Sequence, residues 1–140
     1  MKKRILSILL CGLFMFHMSI FVGAAQPPSI NPLWDNVKEI TATLTFNGNT
    51  GNVTVVVSGK TDVTNITATV DLYYKTTTGS WIEIEKNWSY NVNQQTMVIL
   101  ESFNATPGRE YKIIINGKAT KGGYEEVFSK TTTATCPSAQ

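Results

Sequence analysis

Few side chains in this sequence can do covalent or acid–base chemistry, and most of those stand in an unpromising place. The 140 residues include one histidine, His17, and two cysteines, Cys11 and Cys136. His17 and Cys11 fall inside an apolar stretch, Ile5 to Val22, which follows Lys2, Lys3 and Arg4 and precedes Gly23-Ala24-Ala25. A basic start, an apolar middle and a small-residue exit make the pattern of a secretory signal, cut after Ala24 or Ala25. Gly12, His17 and Ser19 interrupt the apolar run, which at about 18 residues is marginal for spanning a bilayer. Leu10 before Cys11 speaks against a lipid-attachment site. With positions 1–25 removed as a signal, positions 26–140 keep no histidine and a single cysteine. Such a chain supports no Ser-His-Asp or Cys-His nucleophile, no imidazole-bound zinc and no internal disulfide. No catalytic, cofactor-binding or metal-ligating set is therefore expected, and the protein reads as a non-enzyme.

The remaining candidates are weaker. Glu83 and Glu85 stand two apart on one strand face. Paired carboxylates hydrolyse glycosides only across a cleft at a set separation, and two on one strand face ordinarily keep a sheet edge soluble. Asp71 and Glu101 are further carboxylates without an assigned neighbour. Cys136 could form a disulfide with another chain in an oxidising space; the plainer expectation is an inert thiol on a frayed C-terminus, since no nearby cation lowers its pKa. Tyr73 and Trp81 are more suggestive. Alternation puts both on the polar face of neighbouring strands, where Thr76–Ser80 forms an odd, five-residue turn. That turn sets Lys75 against Trp81 and Tyr73 against Glu83, so the two aromatics become diagonal neighbours. Together with Asp71, Glu83 and Lys75 they could form a platform for a sugar ring or a partner protein. The ordinary alternative is cross-strand packing, with Lys75 lying over Trp81. Asn52, Asn65, Asn87 and Asn104 head formal glycosylation triplets, which arise easily by chance in a chain rich in Thr and Asn.

The elements that must position these residues are strands. Positions 26–140 hold 19 Thr, 10 Val and 9 Ile against four Leu, a β-branched bias that favours sheets. Period-2 alternation runs through Ile40–Phe46, Val53–Val57, Ile66–Lys75 and Trp81–Glu85, with strand-like runs at Met97–Phe103, Tyr111–Ala119 and Tyr124–Ala134. Turn residues divide the runs: Asn47–Gly51, Gly59–Asp62, Thr76–Ser80, Pro107-Gly108 and Gly122-Gly123. Asn116-Gly117 is read as interior to one strand. Seven strands in this arrangement predict an all-β, antiparallel β-sandwich. The expected layout is signal 1–25, irregular lead-in 26–36, sandwich 37–136 and tail 137–140. Without positions 2–4, nine basic residues face ten acidic ones, a net charge of −1, which argues against a nucleic-acid partner.

Two stretches resemble a fibronectin type III domain. Ile66-Thr-Ala-Thr-Val-Asp-Leu-Tyr-Tyr-Lys75, with Thr-Thr-Thr-Gly-Ser-Trp81, is similar to that family's C strand and C–C′ turn. Thr106-Pro-Gly-Arg-Glu-Tyr-Lys-Ile-Ile-Ile115 is similar to its E–F corner and F strand. The resemblance implies a fibronectin type III or immunoglobulin-like sandwich, with Pro107, Gly108 and Tyr111 in structural roles. The Tyr111 hydroxyl would turn back to the chain just upstream as a tyrosine corner. Ala105 stands where that family usually has Leu, and the second strand has no Trp. The chain also resembles an uncharacterised family of small secreted proteins from Gram-positive bacteria, through Trp34-Asp-Asn-Val, Ile40-Thr-Ala-Thr-Leu-Thr-Phe, Val57-Ser-Gly-Lys60 and Thr133-Ala-Thr-Cys136. That likeness implies secretion and fold and brings no activity.

The resulting expectation is a secreted, extracellular, non-catalytic module, binding an unknown protein or polysaccharide at the cell surface through an aromatic patch or an unpaired sheet edge. It is expected to leave the membrane once the signal is cut, and to be a monomer or a Cys136-linked dimer. A small glycan-directed enzyme and a secreted inhibitor are the alternatives.

Overall fold

The computed structural model describes residues 34–138, apart from the side chains at 85–87. The signal segment and the first part of the lead-in lie outside the described residues. The strands are β1 (Val37–Asn47), β2 (Thr50–Gly59), β3 (Val63–Lys75), β4 (Trp81–Val92), β5 (Thr96–Asn104), β6 (Glu110–Lys121) and β7 (Tyr124–Thr135). They form a three-stranded sheet ordered β1-β2-β5 and a four-stranded sheet ordered β4-β3-β6-β7, antiparallel throughout. No helix occurs among the described residues.

The expectation of seven strands needs one correction: the fourth, read as Trp81–Glu85, continues to Val92. β4 pairs with β3 in two segments: Trp81–Ile84 opposite Leu72–Lys75, then Trp88–Val92 opposite Ile66–Val70. Two extra residues loop out between them, so counting each ladder segment gives five in the larger sheet. An insertion of two preserves the side-chain alternation on both sides of it, and this is why a period-2 pattern cannot reveal it.

The core forms between the sheets from alternate residues. Val53, Val55 and Val57 of β2 and Met97, Ile99 and Phe103 of β5 face Ile66, Ala68, Val70 and Leu72 of β3 and Tyr111, Ile113 and Ile115 of β6. Each Val, Leu, Ile, Met or Phe side chain among them contributes about 1.5–3 kcal/mol through burial. Two large aromatics need glycine beneath them. Gly51 lies opposite Phe103 and Gly117 opposite Phe128. A Cβ at Gly117 would stand 2.3 Å from the Thr67 carbonyl oxygen and 2.4 Å from the Phe128 ring. Asn116-Gly117 therefore lies inside β6, and the chain reverses instead at Gly122-Gly123, both with positive φ, as a two-residue hairpin of this kind demands.

Both ends of the described chain are tied down. Glu126 of β7 accepts hydrogen bonds from the backbone N–H groups of Asp35, Asn36 and Val37. Its desolvation favours the neutral form, but these three donors and the Lys60 charge outweigh it and hold the carboxyl below its ordinary range. The buried Asn36 amide donates to the carbonyls of Ala119 and Tyr124. At the opposite pole, the Gly108 N–H donates to the Cys136 carbonyl and the Cys136 N–H to that of Arg109. Cys136 is fully buried. The expected frayed terminus is thus fixed, because two backbone bonds anchor it and its thiol packs in the core.

Candidate functional site

The last residues of β3, the first of β4 and the first of β6 converge on the outer face of the four-stranded sheet. Thr76–Ser80 closes as expected: the Thr76 N–H donates to the Ser80 carbonyl, and the Ser80 N–H donates to the Thr76 hydroxyl. Gly79 takes a φ of 88° there. Lys75 then lies opposite Trp81 and Tyr73 opposite Glu83, the register that the turn length predicts. Asp71, Tyr73 and Lys75 share one face of β3 with Trp81 and Glu83 of β4, while Leu72 and Ile84 point to the core side. All five candidate residues are therefore brought together.

β6 adds what the sequence reading missed. Lys112 lies opposite Tyr73. Its Nζ stands 4.7 Å from the Tyr73 ring centroid and 4.5 Å from that of Trp81. Lys75 Nζ is 5.5 Å from the Trp81 centroid and 2.7 Å from Glu110 Oε2. Two ammonium groups thus cover the aromatic pair, a cation–π arrangement of about 0.5–1 kcal/mol per contact at exposed sites. The Lys75–Glu110 bridge is half-buried, and an ion pair with this much solvent access adds little stability. The expected stacking of Lys75 on Trp81 is present, but a second cation from the neighbouring strand is closer to the ring. No local signal could locate Lys112, since its place depends on β3 and β6 pairing across some 40 intervening residues.

Burial, then the charges of Glu83 and Asp71, raise the Tyr73 pKa above its ordinary value, so its phenol stays protonated at neutral pH. Further along this face, Thr67, Thr69, Asn91, Asn116 and Lys118 line a shallow depression of about 520 Å³ that passes over Gly117. Its hydroxyls and amides offer hydrogen bonds beside the single charge of Lys118.

The remaining candidates separate. Glu101 occupies an inward position of β5 and accepts a hydrogen bond from the Tyr90 hydroxyl of β4, a pairing absent from the sequence reading. Burial, this bond and the Glu101 charge push the Tyr90 pKa up to about 12. Glu101 therefore lies apart from Asp71 and Glu83, and the side chain of Glu85 is outside the described set. Among the described residues, no group of three or more His, Cys, Asp or Glu side chains could hold a metal ion. The buried Cys136 Sγ lies 3.6 Å from the Gly48 carbonyl oxygen. A disulfide to another chain would require this end of the sandwich to open, because the thiol is buried.

Pro107, Gly108 and Tyr111 form a corner between β5 and β6. The Thr106 N–H donates to the Tyr111 hydroxyl at 2.8 Å, and Gly108 takes a φ of 76°. Tyr111 is buried against Phe46 and Phe103, with centroids 5.7 and 5.0 Å away. Its role is to fix the start of β6, and thereby Glu110 and Lys112. No protein-family model matches this chain, and no curated protein is significantly similar to it.

Proposed function

We propose that this chain is a secreted β-sandwich of fibronectin type III-like design that works by binding at the cell surface, without catalysis. The export pattern of residues 1–25 supports the location. The β3–β4 turn and the Tyr111 corner support the fold reading, since both stand where the fibronectin type III resemblance puts them. The observation that carries the binding reading is the Tyr73–Trp81 pair on an outer sheet face, flanked by Lys75, Lys112, Asp71 and Glu83.

The ring faces carry two half-buried lysine ends, and cation–π contacts and ion pairs of this kind are individually weak. A polysaccharide or protein partner that presents a flat apolar face displaces them and stacks on the rings. The mixed charges around the rings then set its orientation. The test is retention of the purified protein on immobilised envelope polysaccharides and on culture proteins. Trp81→Ala and Tyr73→Ala are each expected to weaken retention about tenfold, the equivalent of 1.4 kcal/mol, while Lys130→Ala on β7 retains it. Absence of retention by the unaltered protein, or equal retention by Trp81→Ala, overturns the reading.

A further inference from the structure

β5 has a hydrogen-bonded neighbour on one side only. The direction of its free backbone groups follows from two bonds at its ends. The Gly59 N–H donates to the Gln95 carbonyl, and the Ala105 N–H donates to the Asn49 carbonyl, both at 2.7 Å. Residues 95 and 105 therefore address β2. In an antiparallel ladder, alternate residues address opposite sides. Residues 97, 99, 101 and 103 thus also address β2, and Thr96, Val98, Leu100, Ser102 and Asn104 aim their N–H and C=O groups away from the sheet.

The other edges are protected in ways that proteins commonly use. β1 carries Lys38 and Glu39 and a register shift at Val37/Glu39. It also lies against β7, whose Thr132 hydroxyl donates to the Ala42 carbonyl. β4 carries Glu83, Glu85 and Lys86 and the looped-out insertion. β5 has no proline, no lysine and no register shift over its nine residues. Its one charge, Glu101, points inward to the Tyr90 hydroxyl of the same chain. Val98 and Leu100, by contrast, are 57% and 70% exposed.

We propose that this edge pairs with β5 of a second copy, antiparallel about a two-fold axis at Leu100. That residue is the midpoint of the strand, so the axis aligns it along its whole length. Leu100 meets Leu100 of the other copy, Val98 meets Ser102, and Thr96 meets Asn104. Every outward backbone donor and acceptor of the strand is satisfied, and no like charges oppose each other on either face. The exposed Val98 and Leu100 become cross-strand neighbours of apolar or small partners. A self-complementary strand with no net charge outside Glu101 fits a copy of itself better than a charged foreign segment. Because the pairing uses up both free edges, assembly stops at two.

Sedimentation equilibrium of the compact unit Pro32–Gln140, which holds all seven strands of the described residues and the core they form, tests this pairing. At tens of micromolar the expected mass is twice that of one chain. Leu100→Pro removes an outward N–H at a position where an edge strand accepts proline. Val98→Lys places a charge on the same edge. Both are expected to sediment as single chains while keeping the strand signature by circular dichroism. Val98→Lys serves if Leu100→Pro does not fold. Hydrogen exchange should show the amides of Val98, Leu100 and Ser102 protected in the pair and unprotected in Val98→Lys. A single-chain mass for the unaltered unit up to about 1 mM, a dimer that Val98→Lys leaves intact, or open-ended assembly overturns the proposal.

Discussion

Tyr90 and Glu101 show how burial, backed by a hydrogen bond and a neighbouring charge, can set a titration far from its ordinary range. Tyr90 stands on the edge strand of one sheet and Glu101 on that of the other, so their bond spans the sandwich. Ionising the phenol would leave two anions in contact in a partly desolvated place. Its folded pKa of about 12 exceeds the ordinary value near 10, so keeping the phenol neutral contributes stability that is complete below about pH 10. That stability is lost as pH rises through about 12. Spectrophotometric titration should show Tyr90 ionising late in the folded protein, and Glu101→Gln should lower its pKa by removing the neighbouring carboxylate. Neither residue's role was visible in the sequence, because a polar residue at an inward strand position resembles a pattern error until its partner from the other sheet is known. Tyr73 and Trp81 were legible for the opposite reason: their faces follow from local alternation and a five-residue turn.

At the scale of the strand, glycine shows how packing can override propensity. Gly117 weakens β6 by its own conformational freedom, yet a methyl group there would meet the Thr67 backbone and the Phe128 ring. Gly117→Ala is expected to destabilise the fold by about 1–3 kcal/mol, measured as a lower urea midpoint at unchanged slope. Gly48→Ala meets nothing within 4 Å and is expected to cost less, about 1 kcal/mol, from its φ of 56° alone. The strands and most turns were readable from period-2 patterning and Gly-rich breaks. The insertion in β4 was not, since it leaves the alternation unchanged. Lys112 was not either, because the pairing of β3 with β6 is a non-local choice of topology.

For the whole molecule, Cys136 is the clearest reporter. Its side chain is fully buried and its backbone is bonded to the turn at Gly108–Arg109. The native protein is expected to react with a thiol reagent at the rate of unfolding or of local opening at that pole. Adding denaturant is expected to expose one thiol per chain of the Pro32–Gln140 unit at once. Fast reaction without denaturant would show the pole to be open. The sequence placed this cysteine correctly near the end of the last strand but not its depth, because burial at a terminus depends on which loop covers it.

β1 and β7 lie side by side and run in the same direction, the first leaving the Glu126 clasp and the second ending at the Gly48 turn. The described chain therefore enters at one pole and departs from the other. Tension applied between its ends acts along both strands, sliding them past each other so that many contacts must yield together instead of peeling in succession. Joined in series or fixed to a wall by one end, such a unit carries pull along its long axis, and its lifetime under load is governed by its unfolding rate.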